Sequence, residues 1–168
     1  WRLSRPYYAS EENWFARILL GVIIAAHLLL VGINVWLNAW NGQFFNALQN
    51  KDWTSFIRLL FLYDTKGGSF MPGFCELVTV YIVVAVARTY LNQWLQIRWR
   101  TWLTHRLTDE WLADRAYYRI SLTGHDTDNP DQRIAEDLAN FTTSTLALGL
   151  DLLSNIVSLA SFLAILWT

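Results

Sequence analysis

The stretch Ile18–Leu37, ILLGVIIAAHLLLVGINVWL, decides the fold class of this chain. Its length matches the about 20 mostly apolar residues that a helix needs to cross a hydrocarbon core about 30 Å thick. Two later stretches, about Phe74–Leu95 and about Leu146–Leu166, meet the same length. Because lipid tolerates only backbone whose hydrogen bonds are satisfied internally, the sequence predicts an all-α membrane protein with three spans.

The amino-acid composition also indicates that the chain lies in a lipid bilayer. Of the 168 residues 54% are hydrophobic and ten are tryptophan, and the mean hydropathy is +0.21, which is unusual for a soluble domain of this size. We therefore expect the lipid bilayer to be a partner. The net charge of -1 argues against a nucleic-acid partner, which normally requires a basic surface. Cys75 is the single cysteine, so we expect no disulfide framework. No carboxylate pair and no His/Cys cluster indicates a metal site or a catalytic residue in this chain.

Lysine and arginine placement predicts the orientation of the spans. Basic residues crowd the segment ahead of span one and the segment between spans two and three, whereas the segment between spans one and two has few. The two crowded segments contain Arg2, Arg5, Arg17, Arg98, Arg100, Arg106, Arg115, Arg119 and Arg133, against Lys51, Arg58 and Lys66 in the other. The positive-inside rule then predicts a multi-pass protein with a cytoplasmic N-terminus.

Two segments outside the spans have their own organisation. Residues 38–72 keep a partly helical period and then contain Gly67, Gly68 and Pro72, which predicts an external elbow on the membrane surface. Residues 96–141 predict a cytoplasmic lever, because apolar positions keep helical spacing beyond span two. If residues 73–119 form one helix, it is about 70 Å long. The lever must lead back to span three, and we call the part that does so the returning arm. At its start Asn129 fits an N-cap and Pro130 the first helical position.

Several motifs in the chain resemble one family of transporters. They are TDNPDQRIAEDL at 127–138, RWRTWLT at 98–104, Tyr117-Tyr118, VWLNAWN at 35–41 and FFNAL at 44–48. These motifs resemble the type-2 transmembrane region of ABC transporters. That group includes the YddA-like bacterial permease/ATPases, the SbmA/BacA peptide-uptake proteins and the peroxisomal D-subfamily exporters.

The resemblance implies the architecture of the complete protein. Residues 1–168 would be the first half of a six-helix, type IV ABC-exporter-like domain with long cytoplasmic extensions, and two protomers would form a homodimer in the bacterial cytoplasmic (inner) membrane. A nucleotide-binding domain would bind ATP and magnesium. The chain has no G-x-x-x-x-G-K-[ST] loop, so we expect it to be a piece of a longer ATP-hydrolysing protein that moves a small-molecule or peptide substrate.

The same resemblance assigns a role to the start of the returning arm. The segment would be the first intracellular coupling element, which transmits closure of the nucleotide-binding domains to the membrane helices. Capping alone explains Asn129, Pro130 and Gln132, but it does not explain the charged residues that follow. The coupling residues are Asn129, Pro130, Asp131, Gln132, Arg133, Glu136 and Asp137.

Polar residues inside the spans are the second set of candidates, because ionisable groups in lipid are costly and usually face a cavity or a partner. His27 and Asn34 share one face of span one, Arg88 and Asn92 one face of span two, and Asp151 and Asn155 one face of span three. Glu76 lies near the external end of span two. These residues line a cavity or handle protons, or they form structural ion pairs and hydrogen bonds, such as a pair between Arg88 and Asp151.

Three functions remain open from the sequence. The chain forms the translocation pathway and coupling lever of an ATP-driven transporter. Alternatively, it belongs to a proton-coupled importer of the SbmA/BacA kind, in which Glu76 or Asp151 carries protons. In the third function, the chain is a structural module that only assembles with partner helices. A nucleotide-binding domain after residue 168 would separate the first from the second.

Overall fold

The protein is described by a computed structural model that covers Tyr7 and residues 13–61, 72–113 and 130–167; within helix α4 the side chains of residues 130, 131, 133 and 134, and in α1 that of residue 13, are not described. The described residues form four helices: α1 is Asn13–Gln49, α2 is Trp53–Phe61, α3 is Phe74–Leu112 and α4 is Pro130–Trp167. The long helices α1, α3 and α4 are each long and apolar enough to cross a membrane. The predicted all-α membrane fold is therefore confirmed.

Helix α1 continues well past the first predicted span. Residues 38–49, which the sequence assigned to the elbow, are part of this 37-residue helix, which is about 55 Å long. The helix ends where Lys51 adopts a left-handed φ of 53°. The amide of Asp52 donates to the carbonyl of Ala47 (3.0 Å) and the amide of Lys51 to that of Leu48 (3.2 Å). This is the Schellman arrangement, which satisfies the last carbonyls of a helix.

Helix α2 folds back along the end of α1. Asp52 caps its N-terminus, with Oδ1 accepting from the amide of Ser55 (3.2 Å) and Oδ2 from the Ser55 hydroxyl (2.7 Å). The rings of Phe44 and Phe56 lie 5.0 Å apart, and the indole of Trp40 donates to the carbonyl of Leu59 (2.9 Å). Trp40 precedes Phe44 on α1, whereas its partner Leu59 follows Phe56 on α2, so α1 and α2 form an antiparallel hairpin. The placement of residues 38–72 on the membrane surface stays a prediction.

Helix α3 begins at the predicted external end of span two and continues far beyond the predicted cytoplasmic end of that span. Pro72 and Gly73 are buried ahead of it, and the amide of Leu77 donates to the Gly73 carbonyl (3.1 Å). The helix has 39 residues, of which those after Leu95 extend about 25 Å further. The rest of the predicted long helix, residues 114–119, lies outside the described residues.

The chain divides into two compact units, 1–22 with 91–151 and 23–90 with 152–168. The core of the second unit is the cluster Ile33, Trp40, Ala47, Leu59 and Leu77. Trp40 is its centre, with ring centroids 4.8 Å from Phe44 and 4.9 Å from Phe74. The first unit has an aromatic core of its own, which belongs to the candidate site.

Candidate coupling lever and polar span residues

The first unit pairs the second half of α3 with the first half of α4. Arg100 Nη2 donates to the carbonyl of Ala135 (3.3 Å). Two turns further along α4, the ring of Phe141 packs edge-on against Trp99, with centroids 5.7 Å apart and an interplanar angle of 65°. The two helices therefore contact one another in the segment that the sequence assigned to the lever.

A four-residue repeat of buried side chains explains why these helices pair. On α3, Leu95, Trp99 and Leu103 are at most 1% exposed, and on α4, Leu138 and Thr142 are 5% and 1% exposed. Residues four apart lie on the same face of a helix, so each helix has one continuous buried stripe. The Thr142 hydroxyl donates to the Leu138 carbonyl (2.9 Å), which satisfies the polar group inside the stripe. Full burial of each large apolar side chain contributes about 1.5–3 kcal/mol.

Tyr7 completes the aromatic core from outside the helix pair. It is 1% exposed, stacks on Trp99 at 5.9 Å and 20°, and lies tilted against Trp102 at 5.5 Å and 59°. We call Tyr7, Trp99, Trp102 and Phe141 the aromatic joint. The sequence analysis did not identify Tyr7, because the two adjacent tyrosines at 7 and 8 carry no periodic signal. The joint ties Tyr7 to the lever.

A second aromatic group, Phe15 at the start of α1 and Trp94 on α3, holds Arg98 of α3 in place. The rings of Phe15 and Trp94 pack edge-on at 5.2 Å. The guanidinium of Arg98 lies 4.5 Å from the Phe15 centroid and 5.7 Å from that of Trp94. A cation over an aromatic face is attracted by the ring quadrupole, by about 0.5–1 kcal/mol at an exposed site. Arg98 is therefore fixed in place beside the predicted end of span two.

Two polar side-chain pairs of the described part of the lever lie on exposed surface. Arg106 Nε bonds to Glu110 Oε1 at 3.0 Å, and Gln132 Nε2 donates to Glu136 Oε1 at 2.9 Å. Both contacts join residues four apart on one helix, and such side-chain pairs stabilise a helix by about 0.2–0.5 kcal/mol each. They stiffen the lever surface but do not join its two helices.

The predicted coupling residues fall at the start of α4. The helix begins at Pro130, the position that the sequence assigned to the first turn. Gln132, Glu136 and Asp137 are exposed, as a contact surface requires. Asn129 and the side chains of Asp131 and Arg133 lie outside the described residues. The coupling role of the whole set stays a prediction.

His27 is the buried polar residue of span one. It is 6% exposed, and its Nδ1 lies 2.9 Å from the carbonyl of Ile23, so Nδ1 carries the proton and donates within the helix. Asn34, assigned to the same face, is exposed. His27 is thus satisfied by its own helix, as a structural histidine is.

The polar residues of spans two and three are mostly accessible. Glu76, Asp151 and Asn155 are exposed and Arg88 is half-buried. Asn92 is half-buried as a residue, but its Oδ1 is buried and has no hydrogen-bond partner among the described residues. A buried amide oxygen without a donor costs about 1–3 kcal/mol. We therefore expect Asn92 Oδ1 to accept a hydrogen bond from a group other than the described residues. The pairing of Arg88 with Asp151 stays a prediction.

Comparison with known proteins gives one consistent match. The model of the ABC transporter transmembrane region 2 family matches residues 3–168. The chain is 35% identical over 167 residues to the inner membrane ABC transporter ATP-binding protein YddA of Escherichia coli, covering 98% of this chain and 28% of that protein. It is 34% identical over 168 residues to the chloroplastic ABC transporter D family member 2 of Arabidopsis thaliana, covering 100% and 22%. An ABC transporter ATP-binding protein of Synechocystis is 35% identical over 160 residues, covering 94% and 22%.

Proposed function

Because the chain belongs to the ABC transporter transmembrane region 2 family, we propose that it forms part of the translocation pathway of an ATP-driven transporter and the lever that couples ATP hydrolysis to substrate movement. The chain spans 28% or less of the length of these relatives. ATP and magnesium would bind to a nucleotide-binding domain outside these 168 residues. The names of two relatives describe those proteins as ATP-binding, which favours ATP over protons as the energy source.

The paired lever supports coupling. A coupling element has to move as a body between two positions, and a helix pair with a continuous buried stripe resists bending. Leu95, Trp99 and Leu103 supply that stripe on α3. Near the N-terminus of α4, Glu136 and Asp137 are exposed charged side chains, where they can contact a partner domain. The aromatic joint would transmit the motion to the N-terminal segment.

The remaining features of the proposal follow from the family and from the charge distribution. We infer a multi-pass protein of the bacterial inner membrane with a cytoplasmic N-terminus, assembled as a homodimer. The substrate would be a small molecule or a peptide. The polar residues of the spans, Glu76, Arg88, Asn92 and Asp151 among them, would line the pathway.

The experiment measures ATPase activity of the full-length protein in lipid. We compare the wild type with Glu136→Ala, and with Asn140→Ala as control, since Asn140 is exposed one turn further along the same helix. Glu136→Ala should lower transport-coupled ATPase activity severalfold, whereas Asn140→Ala should leave it unchanged. Equal activity of the two variants would contradict the lever assignment. A folded full-length protein without any ATPase activity would contradict ATP coupling itself and leave proton coupling, with Glu76 and Asp151 as the residues to test.

A further inference from the structure

A groove runs along the α1–α2 hairpin, on one side of the seam between the two helices. It has a volume of about 240 Å³, and the residues that line it all belong to the second unit of the chain. Ala47 and Leu59 are 8% and 2% exposed and form its apolar floor. The small side chain of Ala47 leaves room between the walls, which are polar.

One wall of the groove is a row of carboxamides. It consists of Gln43 and Asn46 of α1 and Asn50 just after that helix, three and four residues apart, a spacing that places side chains on one helix face. These three side chains form no hydrogen bond with the described residues. In the other wall, the Ser55 hydroxyl donates to Asp52 Oδ2 (2.7 Å). The carboxamides are therefore the groups with which a ligand can form hydrogen bonds.

The chemistry of the groove favours a neutral ligand that both donates and accepts hydrogen bonds. A carboxamide has two N–H donors and one carbonyl acceptor, and it carries no charge. Among the described residues that line the groove, the charged one is Asp52, whose carboxylate repels anions. A peptide group has one N–H and one C=O, so it can pair with a carboxamide in both directions.

The dimensions of the groove fit an extended polypeptide. Its volume of about 240 Å³ is below the about 300–1,000 Å³ of pockets that enclose a small molecule, so we expect it to hold part of a longer chain. The amide of Asn50 donates to the Asn46 carbonyl (3.0 Å), so the two side chains start one helical turn, about 5–6 Å, apart. Alternate residues of an extended chain, whose main-chain groups point to the same edge, are about 6.7 Å apart. Neighbouring carboxamides can therefore reach two such residues.

We propose that this groove binds the main chain of a short extended peptide on the outer side of the membrane. Peptide groups exchange hydrogen bonds with Gln43, Asn46 and Asn50, and one peptide side chain contacts the apolar floor. Along the helix axis Gln43 lies about 9 Å and Asn46 about 14 Å beyond Leu37, past the headgroup layer of about 5–8 Å, so the peptide arrives from water. This inference depends on the predicted outer placement of the hairpin and not on ATP coupling.

The test measures peptide binding to the full-length protein in nanodiscs without ATP. The probe is a fluorescent hexapeptide of alternating serine and threonine, acetylated and amidated to remove the terminal charges, and binding is read by fluorescence anisotropy. The double variant Gln43→Ala/Asn46→Ala should raise the Kd about tenfold, which is about 1.4 kcal/mol and matches the loss of one to two net hydrogen bonds. The matched control Asn41→Ala/Gln49→Ala removes the same two residue types from exposed positions of α1 outside the groove and should leave the Kd unchanged. Alanine favours a helix more than either residue does, so both variants should keep α1.

Two further probes separate main-chain recognition from other contacts. The same hexapeptide with N-methylated peptide groups keeps its side chains but loses its N–H donors, and it should bind about tenfold more weakly. Maltohexaose, a neutral chain of hydroxyl groups, should not displace the hexapeptide when it is added in excess. Absence of saturable binding to the wild type would overturn the proposal, as would equal binding by the groove variant and its control. An N-methylated peptide that binds as well as the parent, or displacement by maltohexaose, would equally overturn it.

Discussion

Replacing Trp40 by Phe should loosen helix α2 selectively. The indole Nε1 of Trp40 donates to the carbonyl of Leu59 at 2.9 Å, and Leu59 is 2% exposed. Leu59 is among the last residues of α2, whose final carbonyls have no partner within the helix. Phenylalanine keeps most of the ring but removes the donor. The Leu59 carbonyl would then be buried and unsatisfied, at a cost of about 1–3 kcal/mol.

The effect should be visible locally because α2 has only nine residues. Helices this short are held by tertiary contacts and not by their own propensity. One to two kcal/mol changes the population of an open state by a factor of about 5–30. Amide hydrogen exchange of residues 53–61 in the full-length protein should therefore accelerate by about that factor.

The matched control is Trp36→Phe, one turn earlier on α1. Trp36 is 54% exposed, so the same chemical change there should leave exchange in α2 within about twofold, as expected for surface substitutions. If Trp40→Phe and Trp36→Phe exchange alike, the indole bond does not hold α2. If Trp40→Ala is no worse than Trp40→Phe, the packing of the ring against Phe44 and Phe74 contributes nothing.

Two further substitutions test the hairpin and the lever. Lys51→Gly should stabilise the α1–α2 hairpin by about 0.5–1 kcal/mol, because a non-glycine residue at the left-handed φ of 53° is strained by about 1–2 kcal/mol and glycine loses part of that gain in entropy; slower exchange of residues 47–61 would show it, and faster exchange would contradict it. Trp99→Ala should destabilise the lever by about 3–5 kcal/mol, since Trp99 is 1% exposed and packs against Tyr7 and Phe141. Trp94→Ala, at a residue that is 38% exposed, should lower the thermal unfolding midpoint clearly less, and equal midpoints would refute the joint.

The sequence predicted the long helices well because a membrane span needs length and apolarity, which are local properties. It also placed Pro130 at the start of α4 from first-turn chemistry alone. The end of α1 was harder to predict. Asn38, Asn41 and Asn46 are polar, which indicates a change of solvent but not a change of backbone direction. The turn comes only at Lys51, whose left-handed conformation is not favoured by its residue type.

Contacts between distant segments account for the rest of what the sequence could not predict. The hairpin depends on Trp40 reaching Leu59, and the aromatic joint depends on Tyr7 reaching Trp99. Neither pair has a spacing that a periodic pattern could reveal. The buried stripe of Leu95, Trp99 and Leu103 could be found, because residues four apart on one helix share a face. Its partner on α4 could be inferred only from the expectation of a returning arm.

The charged residues of the spans indicate that α3 and α4 have further neighbours. Only 6% of the apolar window of each helix is buried within the described chain, and Glu76 and Asp151 are exposed. Ionisable side chains within membrane-spanning helices are costly in lipid and usually face the bundle interior, a water-filled cavity or a partner. Their exposed faces are therefore stable only against protein or water. A water-filled pathway and packing against partner helices both meet that requirement, whereas lipid contact alone does not.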